Sequence, residues 1–403
     1  MNVSHELKME PKTNFVQEAK SLVKFNIREY GMYIALFVIM LIFSILTDGL
    51  FMSSRNISNL LDATGYIAVL AVGMTLVIVI RHIDLSVGFA AGFMGAIAAI
   101  LLTQAGVPIW LIIPIVLVLG IAAGMINGFL VASLGIPSFV ASLAGMLIFR
   151  GALLRVTEKT GTIIIKDEDF NAIGNGYIPA ISTVGGLSLL SLILGVVAIV
   201  LYILSEVSNR RNKLKYGFEV VSGGIFAVKL VFVSAIIAYI TWIIAGYNGF
   251  SWTVVIMVFV VLVYHFLSTK TVLGRHIYAV GSNPEAAHLS GINVKKITYI
   301  VFGSMGLLSA LSGILFTSRL QSATTTAGTL FELDAIAAAY VGGVSAAGGV
   351  GKVTGSIIGA IVMASLTSGM NLLGVGISYQ YMIRGAVLAA AVIFDVITRR
   401  KRG

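Results

Sequence analysis

The sequence predicts an all-α polytopic membrane protein, a bundle of roughly ten to twelve transmembrane helices that includes short or broken ones. Three observations lead there. The 403 residues are 58% hydrophobic and only 11% charged, with a mean hydropathy of +1.00, far outside the range of soluble domains. Apolar runs of roughly 17 to 25 residues recur along the chain, each long enough to cross a hydrocarbon core of about 30 Å as a helix. The apolar/polar alternation of a transmembrane β-barrel is missing from the sequence.

The chain opens on a polar, basic tail, 1–30, with no small-residue cleavage site after the following apolar run, so that run is expected to stay as an anchor. A first transmembrane half, 31–204, is expected to cross near 32–47, 65–80, 83–103, 109–131, 138–154 and 186–204. Residues 205–268 then hold a basic loop, SNRRNKLK at 208–215, and an additional hairpin near 226–246 and 252–268. A charged passage, 269–297, separates these from a second half, 298–397, with segments near 298–320, 332–345, 355–373 and 378–397. A basic tail, 398–403, ends the chain. Segment 332–345 is too short to span and runs into GGVSAAGGVG; it reads as a half-helix, tolerated where protein or water surrounds the backbone.

Charge sets the expected orientation. Of the 27 lysines and arginines, Arg55, Arg155, Lys159, Lys166 and Arg319 fall outside on this path, Arg150, Lys229 and Arg384 fall inside spans, and the rest face the cytoplasm, both termini included. That distribution is the positive-inside pattern of a membrane protein, not a nucleic-acid surface. With no cysteine and five scattered histidines, no thiolate chemistry and no metal-ligand spacing is legible. AAGGVGKVT at 346–354 fails as a phosphate-binding loop, because Ala346 replaces its first glycine and Val353 follows Lys352.

A weak internal echo points to an inverted repeat. HIDLSVGFAAG at 82 resembles FELDAIAAAYVGG at 331, and GMINGFL at 124 resembles SGMNLLG at 368, on segments of opposite direction. A third echo, FRGALL at 149 and IRGAVL at 383, fits less well, since both arginines fall near the outer face. The candidate pathway residues come from these segments: Asp84, Asn127, Arg150, Asp334, Asn371 and Arg384. Each aspartate either caps a helix N-terminus or pairs with an arginine. The two asparagines contact either the pore or a neighbouring helix. Gly120 with Gly124, and Gly355 with Gly359, read as close-packing pairs. Ser138, Ser142, Ser365 and Thr367 either line a hydrated path or bond back to their own helices.

Within the charged passage, GRHIYAVGSNPEAAHLSGINVKK at 274–296, the residues Asn283, Pro284, Glu285, Ala286, Ala287, His288, Leu289, Ser290 and Gly291 specify a short helix. Asn283 is an N-cap, Pro284 suits the first helical position, Glu285 complements the macrodipole and Gly291 stops the helix. By these features alone it is either a knob that another backbone approaches closely or a linker lying on the headgroups.

Five passages carry a family resemblance: NISNLLDATGYIAVLAVGMTLVIV (56–79), IDLSVG (83–88), NGFLVASLGIPSFVASLAGMLIFRG (127–151), LGRHIYAVGSNPEAAHLSGINV (273–294) and ELDAIAAAYVGGVSAAGGVGKVTGSIIGA (332–360). They resemble bacterial ABC importer permeases for monosaccharides. The additional loop and hairpin make the chain most similar to the D-xylose or multiple-monosaccharide type. Arg81 and His82 depart from the small or acidic residues usual before IDLSVG in such permeases. The resemblance implies a fold like that of type II ABC importers in the bacterial inner membrane. It also implies a second permease copy, an ABC ATPase subunit and an extracytoplasmic sugar-binding protein as partners. Region 269–297 would be the coupling region, with 283–291 entering a cleft of the ATPase. No cofactor is expected on this chain, ATP and Mg being used by the ATPase. The main rival is an ion-coupled secondary transporter, and within the broader family a nucleoside or autoinducer permease; no motif for an intramembrane enzyme is legible.

Overall fold

A computed structural model describes residues 27–179, 182–218, 220 and 222–400, so most of the two tails lies outside the described residues. Fifteen α-helices dominate it. In chain order the first are α1 (Ile27–Leu46), α2 (Ser54–Val79), α3 (Val87–Thr103), α4 (Ile109–Ala132), α5 (Ser138–Thr157) and α6 (Glu168–Asn175). There follow α7 (Leu189–Lys215), α8 (Gly223–Ala245), α9 (Trp252–Lys270), α10 (Val272–Ser282) and α11 (Pro284–Leu289). The last four are α12 (Val294–Leu320), α13 (Phe331–Val341), α14 (Val353–Leu372) and α15 (Ile377–Arg400).

Nine of these are long and apolar enough to cross a membrane, and two shorter apolar helices, Gly31–Leu46 within α1 and Val87–Thr103, accompany them among the described residues. The half-helix expected at 332–345 is α13, eleven residues long. Two helices form the centre: the apolar stretches of α2 and α12 are 83% and 72% buried, against 11% for α7 and 12% for α15. Helices α7 and α15 therefore present most of their surface to the outside of the chain, while α2 and α12 are enclosed by it.

Glycines let the central helices approach closely, as expected for Gly120 and Gly124. A Cβ on Gly306 of α12 would strike the carbonyl of Gly120 on α4 and crowd Gly124. Gly359 and Gly355 of α14 likewise face Ala338 and Gly342, at the end of α13. Between apolar surfaces, such backbone proximity supplies van der Waals contact that larger side chains would prevent. Hydroxyls add fixed points: Thr75 of α2 meets Ser356 of α14 at 2.5 Å, and Ser312 of α12 donates to the Tyr66 carbonyl of α2 at 2.9 Å.

Three expectations are corrected. The span expected over 83–103 starts only at Val87, because Arg81 adopts a left-handed backbone with φ +66°. Beyond it, the Asp84 carboxylate accepts from Ser86 N at 2.9 Å and Ser86 Oγ at 2.6 Å. Such side-chain bonds offer the backbone an alternative to helix. The span expected over 65–80 begins eleven residues earlier, at Ser54, capped by Ser53, whose hydroxyl accepts from Asn56 N. The basic stretch 208–215 is no loop: it forms the last two turns of α7, which stops at Tyr216 and a left-handed Gly217. Arginine, lysine and leucine are good helix formers, and no glycine or proline interrupts them.

At the far end of α12, strand β1 (Thr162–Ile164) pairs antiparallel with β4 (Ser322–Thr324), while β2 (Thr183–Val184) and β3 (Leu187–Ser188) form a small hairpin before α7. Helix α6 docks there through the fully buried Phe170. Gly174 N donates to Ser318 Oγ at 2.6 Å, and Ser318 Oγ to the Phe170 carbonyl at 2.7 Å.

Candidate functional site

The N-termini of two interrupted helices meet inside the bundle. Gly88, at the start of α3, packs against Gly328 and Glu332, at the start of α13, and a Cβ on Gly88 would collide with both. From this contact α3 and α13 diverge: Gly92 and Gly95 of α3 pack on Ala327 and Thr317, whereas α13 runs to Gly342 beside α14. Helix N-termini that meet at a break inside the bundle are a recurring device of transporters.

The chain before α3 is held by polar side chains from two other helices. Asp84 is 2% exposed and bound to Ser86 as described. Asn127 of α4 donates to Ser86 Oγ at 2.8 Å. From α5, Ser138 Oγ accepts from Ile83 N at 3.2 Å and Ser142 donates to the Ile83 carbonyl at 3.3 Å. A cavity of about 10 Å³, lined by Asp84, Ser86, Asn127, Phe149 and Ser309 among others, adjoins this network. That is room for about one water and far too little for a sugar.

The six sequence-predicted pathway residues fall into separate places. Asp84 and Asn127 share one network through Ser86. Asp334, in the first turn of α13, and Arg384 of α15 form an ion pair. Arg150 bridges to neither aspartate; its guanidinium lies over the Phe89 ring at 5.5 Å. Asn371, exposed at the end of α14, accepts from Gln380 at 2.8 Å. Thr367 bonds back to the Met363 carbonyl at 3.0 Å, while Ser365 Oγ is buried with no hydrogen-bond partner among the described residues.

Sequence reasoning missed Glu332, Ser86 and Asp62, and it noted Arg81 only as a departure from the family pattern, without a role. Glu332 is 6% exposed, and its Oε2 has no hydrogen-bond partner among the described residues. Its only sequence signal is an acid in the first turn of a half-helix. Asp62, in α2, accepts from Ser251 Oγ and, at 3.3 Å, from Tyr177 OH, which fastens the start of α9 to the core. Arg81 holds the end of α10, as developed below.

The predicted short helix is α11, six residues from Pro284 to Leu289. Asn283 Oδ1 accepts from Ala286 N at 3.0 Å, Glu285 stands in the first turn, and Gly291 closes the helix with φ +83°. Ala287 is its buried anchor, 4% exposed, whereas Leu289 is 87% exposed. Glu285, Ala286, His288 and Ser290 are exposed as well. The knob therefore offers an unpaired leucine ringed by polar groups to whatever adjoins it. It precedes α12, and β4 follows α12, so the knob and the β1–β4 cap lie at opposite ends of a helix about 40 Å long. Beside that cap a second, open cavity of about 510 Å³ is lined by residues that include Lys166, Glu168, Asn171, Asn175 and Gln321.

The sequence profile of a family described as branched-chain amino acid transport system / permease component matches residues 56–392, covering both interrupted helices and the knob. The chain belongs to this permease family. With nine helices among the described residues long and apolar enough to cross a membrane, the permease is a multi-pass membrane protein. It is 39% identical to the xylose transport system permease protein XylH of Escherichia coli (strain K12) over 380 residues, 94% of each chain. It is 40% identical to the XylH of Haemophilus influenzae (strain ATCC 51907 / DSM 11121 / KW20 / Rd) over 376 residues, 93% of this permease and 98% of that protein. To the ribose import permease protein RbsC of Escherichia coli (strain K12) it is 33% identical over 385 residues, 95% of this permease and 98% of the relative. No solved structure matches it significantly.

Proposed function

We propose that this permease is the membrane-spanning subunit of an ATP-driven importer that moves a monosaccharide, a pentose such as xylose first among candidates, into the bacterial cytoplasm. Relatives named for xylose and ribose align over nearly the whole chain, which favours a sugar over the amino acids of the family's description. A separate ATPase uses ATP and Mg and binds the α11 knob, and an extracytoplasmic sugar-binding protein meets the opposite end. Both termini and α11 face the cytoplasm of the inner membrane, the orientation that the basic residues favour. The sugar path lies between two permease copies, a reading supported by the smallness of the cavity beside Asp84 and Asn127, about 10 Å³. Asp84, Asn127, Asp334 and Arg384 then fix the helices that border it, with Arg150 and Asn371 on their flanks.

The observation that carries the reading is α11 itself: a capped helix of under two turns, anchored by Ala287, presents Leu289 to nothing in this chain but suits a cleft in a partner. The variant Glu285→Arg with Leu289→Asp tests it. Membrane insertion should be unchanged, while uptake and sugar-stimulated ATP hydrolysis are lost; normal uptake would overturn the reading. The buried carboxylates of Asp84 and Glu332 favour the second reading, an ion-coupled carrier. That reading requires uptake by this chain alone under an ion gradient.

A further inference from the structure

We propose that Arg81 is a positioning residue that carries movement of the α11 knob into the break between α2 and α3. The proposal rests on the importer reading above. Arg81 Nε donates to the Gly281 carbonyl at 2.6 Å, and Nη2 donates to the Ser282 carbonyl. These are the last two residues of α10, immediately before Asn283, the N-cap of α11. Carbonyls at a helix C-terminus lack intrahelical partners and carry the negative end of the dipole. A guanidinium fork satisfies both needs, and its rigid geometry fixes direction as well as distance.

The clamp is closed on its other sides by backbone. Gly349 N donates to the Val79 carbonyl at 2.8 Å. Gly281 packs so tightly on that same carbonyl that a Cβ there would overlap it, and Gly348 lies on the Arg81 stem. The end of α2, the end of α10 and the loop after α13 thus move as one node. Two residues beyond Arg81, the backbone of Ile83 is held by Ser138 and Ser142. One residue further, Asp84 joins the Ser86–Asn127 network. A displacement of α11 therefore reaches the interrupted helix through a few stiff, bonded contacts.

The backbone at position 81 separates this role from simple capping. Arg81 has φ +66°, a conformation that glycine adopts without strain and arginine does not. Arg81→Gly removes the strain together with the fork. If the side chain served stability alone, the variant's stability and transport would change in parallel. The proposal predicts that they separate.

The experiment reconstitutes the permease with its ATPase and binding protein in vesicles and follows uptake of D-xylose, D-ribose and D-galactose, ATP hydrolysis, and thermal unfolding. Arg81→Gly and Arg81→Met should assemble and hydrolyse ATP, and Arg81→Gly, freed of the left-handed strain, should unfold later than Arg81→Met. Uptake and its stimulation of hydrolysis should fall at least about tenfold, since both charge-assisted bonds of the fork are lost. Arg81→Lys, which keeps a cation but not the fork, should recover part of the loss. Uptake within about twofold of wild type in both the Gly and Met variants overturns the proposal, as does a loss of uptake that follows the unfolding temperature from one variant to the other. Running Glu285→Arg with Leu289→Asp alongside separates the two readings. If that variant transports normally, the importer reading has failed. If it is inactive while the Arg81 variants are normal, only the clamp has failed.

Discussion

Asp334 and Arg384 form an ion pair that joins the first turn of the half-helix α13 to α15, the helix with little other contact to the core. Their side chains are about four-fifths buried, 21% and 18% exposed respectively. A charge left alone at such a site costs more than the pair contributes. Asp334→Asn and Arg384→Gln should each destabilise the permease in detergent by about 1–3 kcal/mol. The double variant should recover part of that cost, with a coupling of about 1 kcal/mol in a double-mutant cycle of unfolding temperatures. Additive losses would mean that the two charges do not support each other.

The contact of Gly306 with Gly120 and Gly124 sets the separation of α12 from α4. Gly306→Val should push these helices apart and lower stability by about 1–3 kcal/mol, the usual cost of overpacking. Gly151→Ala, within α5 and with nothing within 4 Å of the added carbon, is the control and should leave stability unchanged or raise it by up to about 1 kcal/mol. Equal unfolding temperatures for both variants would refute the packing argument.

Tyr278 OH donates to the Gly351 carbonyl at 2.6 Å and ties α10 to the glycine-rich loop. Burial pushes its phenol above the ordinary 10.0, so it remains a donor throughout the physiological range. Tyr278→Phe should cost about 1 kcal/mol in thermal unfolding, with no dependence on pH between about 6 and 9. The contribution is present below the unfolded pKa and fades only as pH rises through the folded value. A pH-dependent difference within that window would contradict this role.

The absence of cysteine makes orientation directly measurable. Leu289→Cys and Ile164→Cys place single thiols at exposed positions at opposite ends of α12, with 87% and 67% exposure. In intact spheroplasts that make the permease without its ATPase, a membrane-impermeant maleimide should label Cys at 164 and leave 289 unmodified until the membrane is opened. The reverse pattern would invert the topology.

The all-α class and most spans were legible because each rests on a single physical requirement, about 20 apolar residues to match a hydrocarbon slab. The knob was legible for a different reason: Asn283, Pro284 and Gly291 each impose a local geometry needing no long-range partner. The 83–103 span misled because its apolar pattern continues across Ile83 and Leu85, whereas the break comes from the Asp84–Ser86 bond and the conformation of Arg81. The loop expected at 208–215 misled because charge was read as a loop signal, although arginine and lysine extend a helix well once it leaves the membrane. Within the candidate site, the Asp334–Arg384 pair was among the alternatives the sequence left open. Glu332 and Arg81 were not, since their settings depend on partners 200 or more positions away in the chain.

Transport driven from outside the chain is the central claim, and uptake into vesicles tests it most directly. Vesicles holding the permease alone, under imposed proton or sodium gradients, should accumulate no D-xylose, D-ribose or D-galactose. Adding the ATPase with ATP and Mg, together with the binding protein, should produce uphill uptake of at least one of these sugars. Accumulation by the permease alone would contradict the account.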